Sequence, residues 1–351
     1  MSESTRRTFV SSALAAPPVL SSLTAAHENA GQGSICDVGG IRVGHFTLPQ
    51  RPTGCTVLLF DNGAVAGVDV RGSAPGTRET DLLNPNNSVQ QVNAIVLSGG
   101  SAFGLDTATG VMRYLSERNI GFHLGSIVVP IVPAAIIFDL ELGDAKVHPD
   151  AEAGYQACQA ASNSHVPEGN VGAGAGATVG KLSGMQSAMK SGIGTASLKI
   201  GNSDIIVGAI VVVNAVGDII DPALGKIVAG ALAADRKMFR NSMAQLIAGR
   251  IPPVETKANT TLGVIATNAA LDKTEATKMA QMAHDGLARA INPVHTMYDG
   301  DTIFSVATGT VPGRANVSVL GAIGAEVISR AVLRAVMQAA GLPGLPAVRD
   351  L

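Results

Sequence analysis

The hydrophobic pattern along the chain changes period several times, and each change marks an element. Apolar residues crowd Thr53–Phe60 and Ala64–Val70 in the manner of strands. Ala94–Leu97 predicts a buried strand running into Ser98-Gly99-Gly100, after which Leu105, Val111, Met112 and Leu115 recur at helical spacing. The unit is a strand, a glycine turn and a helix. Ser126–Leu140 is apolar but interrupted by Pro130 and Pro133, which predicts short extended pieces. A helix follows over Asp150–Ser162, then a glycine-alanine segment, Gly172–Gly180, strands at Thr195–Ile200 and Ile205–Val213, and a helix near Lys237–Ala248. Gly249–Asn259 is polar and carries Pro252-Pro253, the signature of an accessible loop. It gives way abruptly to a strand, Thr260–Thr267, then an amphipathic helix, Lys273–Ile291, a strand, Thr302–Ala307, and a long apolar helix, Val319–Ala339. No fixed repeat is visible. Strands and helices alternate irregularly, so sheets layered with helices fit better than a barrel of repeated units, and one domain starting near Ile35 is the expected count.

Composition narrows the function classes. The chain has 351 residues, 46% apolar and 15% charged, which suits a globular enzyme with a large core. A net charge of -2 and 3% aromatic residues leave neither a field for phosphate backbones nor rings for stacking bases, so nucleic acid is not an expected partner. Cys36, Cys55 and Cys158 form no CxxC pair and read as buried small side chains. Residues 1–26, with Arg6-Arg7 ahead of an alanine-rich stretch, have the layout of a twin-arginine export signal, followed by a flexible lead over 27–34. Export to the periplasm is the expectation, and a cytoplasmic location follows if Arg6-Arg7 are accidental. The most apolar run, Ile205–Gly217, is too short to span a bilayer, so the mature form is expected to need no membrane.

Several glycine motifs fail on context. Gly172–Ala177 satisfies GxGxxA without the strand and helix a dinucleotide needs, and Gly180-Lys181 lacks the rest of a phosphate loop. Gly99-Gly100-Ser101 misses the nucleophile-elbow spacing by one residue, which leaves Ser101 as a helix cap. His123, His148 and His295 stand singly, with no metal spacing, and read as structural. More chemistry is available at Asn259-Thr260-Thr261, where a loop meets a strand, and at Asp299-Gly300-Asp301 before the last strand. A threonine hydroxyl needs a base, and a free amine on the same residue, with a pKa of about 7.7–8.0, would supply one if the chain were cut before Thr260. By spacing alone, a strand start and a turn are the commoner readings of the two segments.

The motifs Val70–Asp81 (VRGSAPGTRETD), Leu97–Leu105 (LSGGSAFGL), Val132–Asp139 (VPAAIIFD), Asn259-Thr260-Thr261 and Asp299–Thr302 together resemble the peptidase family of L-aminopeptidase/D-esterases, beta-peptidyl aminopeptidases and 6-aminohexanoate-oligomer hydrolases, the DmpA or S58 family. The resemblance covers essentially the whole chain from Ile35. It implies an α/β fold, a four-layer αββα sandwich of the N-terminal-nucleophile type, in a precursor that cuts itself between Asn259 and Thr260. The α chain would end at Asn259 and the β chain, Thr260–Leu351, would begin with the nucleophile. By the same resemblance, Asn214 would donate to the oxyanion, Lys181 would assist proton movement beside the nucleophile, and Asp299 and Asp301 would orient Lys181 and Thr260. One departure is Phe138, where some members have a tyrosine hydroxyl. The implied activity is hydrolysis of N-terminal amide bonds in short peptides, amino-acid amides or β- or ω-amino acid oligomers, with no cofactor and no metal. The implied assembly is a homo-oligomer of processed heterodimers, a tetramer or octamer. Acyl transfer of the ornithine acetyltransferase kind, and a binding protein on the same fold, are the alternatives.

Overall fold

The protein is described by a computed structural model covering residues 33–250 and 259–351. The expected export segment, most of the expected lead, and residues 251–258 of the expected loop lie outside the described residues. The principal sheet has nine strands: β1 (Arg42–Thr47), β2 (Gly54–Val70), β3 (Thr77–Arg78), β4 (Val92–Ser98), β5 (Ala134–Ile136), β6 (Ile193–Lys199), β7 (Ile206–Asn214), β8 (Thr260–Ala270) and β9 (Thr302–Arg314). They run in the order β6-β7-β8-β9-β2-β4-β5-β3, with β1 on β2. Among the described residues, five α-helices accompany them: α1 (Thr107–Ser116), α2 (Ala151–Gln159), α3 (Ser242–Ile247), α4 (Lys273–Ala290) and α5 (Val317–Met337).

The layering follows from the period-two alternation of strand side chains. On β8, Leu262, Val264 and Ala266 join one cluster with Leu58 and Phe60 of β2, Ile95 and Leu97 of β4, and Ile210 and Val212 of β7. The alternate residues point outward: Ile265, Val211 and Val213 pack under α4 and α5, while Val57, Leu59, Ala94 and Val96 pack under α1 and α2. Two half-sheets therefore face each other across a shared core, with a helix pair on each outer face, which is the four-layer sandwich. Strands buried on both faces explain the unbroken apolar runs at 206–213 and 262–266.

The two strands expected at Thr53–Phe60 and Ala64–Val70 are one 17-residue strand, β2. Its first part pairs with β1 and β4, its last part with β9, so a single strand crosses from one half-sheet to the other. The helix expected over Lys237–Ala248 is shorter, because Arg240 N–H donates to Ala231 O and Asn241, at φ 56°, caps α3 only from Ser242. Ser126–Leu140 does form short extended pieces, Ile127–Val129 and β5. Ser101 is not a helix cap: it sits at φ 55° as the first residue of a 3-10 turn whose cap, Gly100, makes no side-chain bond. Cys55 and Cys158 are buried and Cys36 is half-buried, all three free.

Local chemistry fixes the two long helices. Asp272 and Glu275 form a reciprocal capping box at the start of α4, and Asn316 caps α5. The two helices approach closely at Gly286, where a Cβ would lie 2.2 Å from Ala325 O. The glycine-alanine segment is held by Lys190, fully buried, whose ammonium donates to the carbonyls of Gly174, Ala177 and Ser191.

Candidate active site

Three adjacent strands bring the sequence-predicted residues to one end of the sheet. Thr260 opens β8 and sits directly opposite Asn214, the last residue of β7. On its other side β8 runs parallel to β9, with Leu262 in register with Thr302, so Asp299–Asp301 arrive beside Asn259 and Thr260. Thr260, Asn259, Asn214, Lys181, Asp299 and Asp301 are all buried.

The Asn259 carbonyl oxygen is approached from two sides. Thr260 Oγ1 donates to it at 2.6 Å, and Gly300 N–H donates at 2.8 Å. Gly300 is required there, since a Cβ would lie 2.6 Å from Ala74 O and 2.8 Å from Thr260 Oγ1. The Asp-Gly-Asp segment is thus a turn that also aims a backbone donor at the peptide bond before Thr260.

Lys181 begins a short 3-10 turn after Gly180, and its backbone N–H donates to Val216 O at 3.0 Å just beyond β7. Its ammonium reaches Asn214 Oδ1 at 2.7 Å and Asn214 O at 3.2 Å. Burial pushes Lys181 down to about 7, against the upward pull of the Glu141, Asp299, Asp139 and Asp301 carboxylates. Asn214 Oδ1 also accepts from Thr178 N–H and Oγ1, at 3.1 and 3.2 Å. Its Nδ2 donates to Phe138 O at 2.9 Å. Phe138 therefore takes part through its backbone.

The two aspartates differ in surroundings. Asp299 Oδ2 accepts from Thr296 N–H at 2.8 Å and Thr296 Oγ1 at 2.6 Å, and burial, with Asp301 nearby, pushes its carboxyl up to about 6. Asp301 Oδ1 accepts from Thr261 N–H at 2.6 Å, and Oδ2 accepts from His295 N–H at 3.1 Å and bonds His295 Nδ1 at 2.8 Å. Neither carboxylate touches Lys181 directly. Their influence on it is through space, while the contact with β8 is the Asp301–Thr261 bond.

The remaining motifs support this centre. Arg71, Gly72 and Ala74 donate backbone N–H groups to Asp301 O, Asp301 O and Asp299 O, at 3.0, 3.2 and 2.9 Å. Asp139, buried, ties Gly100 N–H at 2.9 Å, Thr53 Oγ1 at 2.6 Å and Arg51 Nη2 at 2.5 Å, knitting the Leu97–Leu105 motif to the Val132–Asp139 motif. Thr296, Thr178, His295 and the Gly300 N–H were not singled out as site groups by sequence. Thr296 did carry a signal, a hydroxyl three residues before an aspartate. A backbone N–H carries none.

The sequence profile of peptidase family S58 matches residues 33–348. An uncharacterized aminopeptidase of Mycobacterium tuberculosis is 45% identical over 345 residues, covering 91% of this chain and 97% of that protein. A 6-aminohexanoate-oligomer endohydrolase of Paenarthrobacter ureafaciens is 34% identical over 313 residues, covering 85% and 84%. Among solved structures, a Burkholderia sp. beta-aminopeptidase superposes with a TM-score of 0.68 at 23% identity, over 90% of this chain and 89% of that one. The L-aminopeptidase D-Ala-esterase/amidase of Ochrobactrum anthropi, described as a variant of the Ntn hydrolase fold, gives 0.66 at 20%, over 89% and 88%. These two likenesses establish the fold.

Proposed function

The chain belongs to peptidase family S58 and is a hydrolase of peptide or amide bonds, and from that premise we propose that Thr260 is both the agent of its own release and the catalytic nucleophile. The observation that carries this reading is the pair of donors on the Asn259 carbonyl, Thr260 Oγ1 at 2.6 Å and Gly300 N–H at 2.8 Å. A hydroxyl already against the carbonyl it would attack needs little motion to react, and the Gly300 amide stands where negative charge would develop on the oxygen.

In self-processing, Thr260 Oγ1 loses its proton to a base and bonds to the Asn259 carbonyl carbon. The C–N bond breaks, and the Thr260 nitrogen takes a proton to become a free amine. Water then hydrolyses the resulting ester, leaving Asn259 with a carboxylate. Lys181, lowered to about 7 by burial, serves as the base in this scheme, bonded to Asn214 in the strand position opposite Thr260. In turnover, the Thr260 amine accepts the hydroxyl proton, Oγ1 attacks the substrate carbonyl, the leaving amine takes the proton, and water frees the acyl group. Short peptides, amino-acid amides and β- or ω-amino acid oligomers are the substrate class, supported by the aminopeptidase and 6-aminohexanoate-oligomer endohydrolase relatives.

The test is intact-mass spectrometry with N-terminal sequencing on the wild type and a Thr260→Ala variant. A fragment beginning Thr-Thr-Leu-Gly in the wild type and absent from the variant is the expected outcome. A folded wild type that stays uncut would overturn the proposal.

A further inference from the structure

His295 stands beside the site without a role in the scheme above. Its backbone N–H and its ring Nδ1 both reach Oδ2 of Asp301, at 3.1 and 2.8 Å. A carboxylate oxygen only accepts, so the ring presents Nδ1–H to it. The opposite oxygen of the same buried carboxylate holds Thr261 N–H at 2.6 Å. The ring is backed, edge to face, by His284 of α4, with centroids 4.8 Å apart and planes at 71°. His284 is buried, its Nε2 is 2.9 Å from Asp69 O, and burial pushes it down to about 4, so the ring behind His295 is uncharged near neutral pH. His295 itself has φ 56°, in the left-handed region that asparagine, aspartate and histidine adopt more readily than other non-glycine residues. That conformation turns both the backbone N–H and the ring of His295 toward one carboxylate oxygen.

We propose that His295 is the positioning residue for Asp301: it clamps one carboxylate oxygen so that the other fixes Thr261 N–H, and with it the strand start that sets Thr260 Oγ1 against its carbonyl. His295 acts through Asp301 and never meets the reacting atoms. The proposal rests on Thr260 being the nucleophile, and a Thr260→Ala control separates the two: a Thr260→Ala chain that still cuts itself removes that premise whatever the His295 variants do.

The experiment compares His295→Asn with His295→Asp. The two side chains have the same shape and both tolerate a positive φ, but only asparagine offers an N–H at the δ position. Self-processing of freshly synthesised chain is followed by mass, and kcat and KM are measured on an amino-acid amide for processed enzyme, with the thermal midpoint as a folding control. The expected result is His295→Asn near the wild type and His295→Asp slower in processing and in kcat by on the order of 100-fold, the penalty of a small displacement of a reacting group, with KM within about twofold because the bond positions the nucleophile rather than the substrate. Equal rates for the two variants, both normal or both slow, would overturn the proposal, because the donor would then be irrelevant and only the volume beside His284 would matter.

Discussion

Lys181 is an amine poised between protonation states. With burial lowering it to about 7, an appreciable share is neutral at physiological pH and able to take a proton. Under the proposed self-processing, the nitrogen of Thr260 is an amide before the cut and does not titrate, so the pH dependence of cutting would report the buried groups alone. Processing should accelerate as pH rises through about 7 and slow below it, where Lys181 is charged and Asp299, pushed up to about 6, begins to protonate. Lys181→Arg, charged at every accessible pH, should lose at least about 100-fold, the lower range for general base catalysis, measured as the half-life of uncut chain. At this scale the sequence was uneven. Thr260, Asn259 and the aspartate pair stood out as chemistry at a loop-strand junction, whereas Lys181 and Asn214 came only through resemblance, because no local pattern shows that residues 33 positions apart share a hydrogen bond. His295 reads as structural from sequence, since a lone histidine two residues after Pro293 looks like any turn residue until its carboxylate partner is seen.

Elements were more legible where one local rule decides them. The amphipathic pattern over Lys273–Ile291 predicts α4, which spans Lys273–Ala290, and the structure adds the Asp272–Glu275 capping box at its start. Asp272→Ala removes the side-chain acceptor for Glu275 N–H at 2.9 Å and should lower stability by about 1 kcal/mol, read from the urea midpoint at unchanged slope. The loss should exceed anything expected from its contact with Arg314, an exposed pair of the kind that contributes little. Where tertiary pairing decides, the pattern misled. The polar Asp61-Asn62-Gly63 interruption suggested a break in β2, yet pairing on both sides carries the backbone through it. At 237–240, apolar and basic residues at helical spacing gave way to bonds with Ala231 and Ala233.

At the scale of the whole molecule, two of the described lysines, Lys181 and Lys190, are buried and lowered to about 7 from 10.5. Between about 7 and 10.5 the unfolded chain binds a proton on each that the native state does not, so stability rises with pH across that window from these two groups and is flat in their contribution below it. Urea midpoints taken from pH 7 to pH 9 should climb, and Lys190→Met, which deletes one of the two titrations, should climb less steeply even though the loss of three carbonyl partners makes it weaker at every pH.

The register of Thr260 against Asn214 has one more consequence. β8 is an interior strand, flanked by β7 and β9 and covered by α4 and α5, so a molecule severed before Thr260 would keep both pieces interlocked and migrate as a single particle under native conditions. Its history would surface only on denaturation. Regaining the fold would then require two separate polypeptides to find each other, a bimolecular event whose yield depends on dilution, whereas an uncut chain refolds alone. Maturation of this kind turns a recoverable structure into one whose first complete unfolding is close to its last.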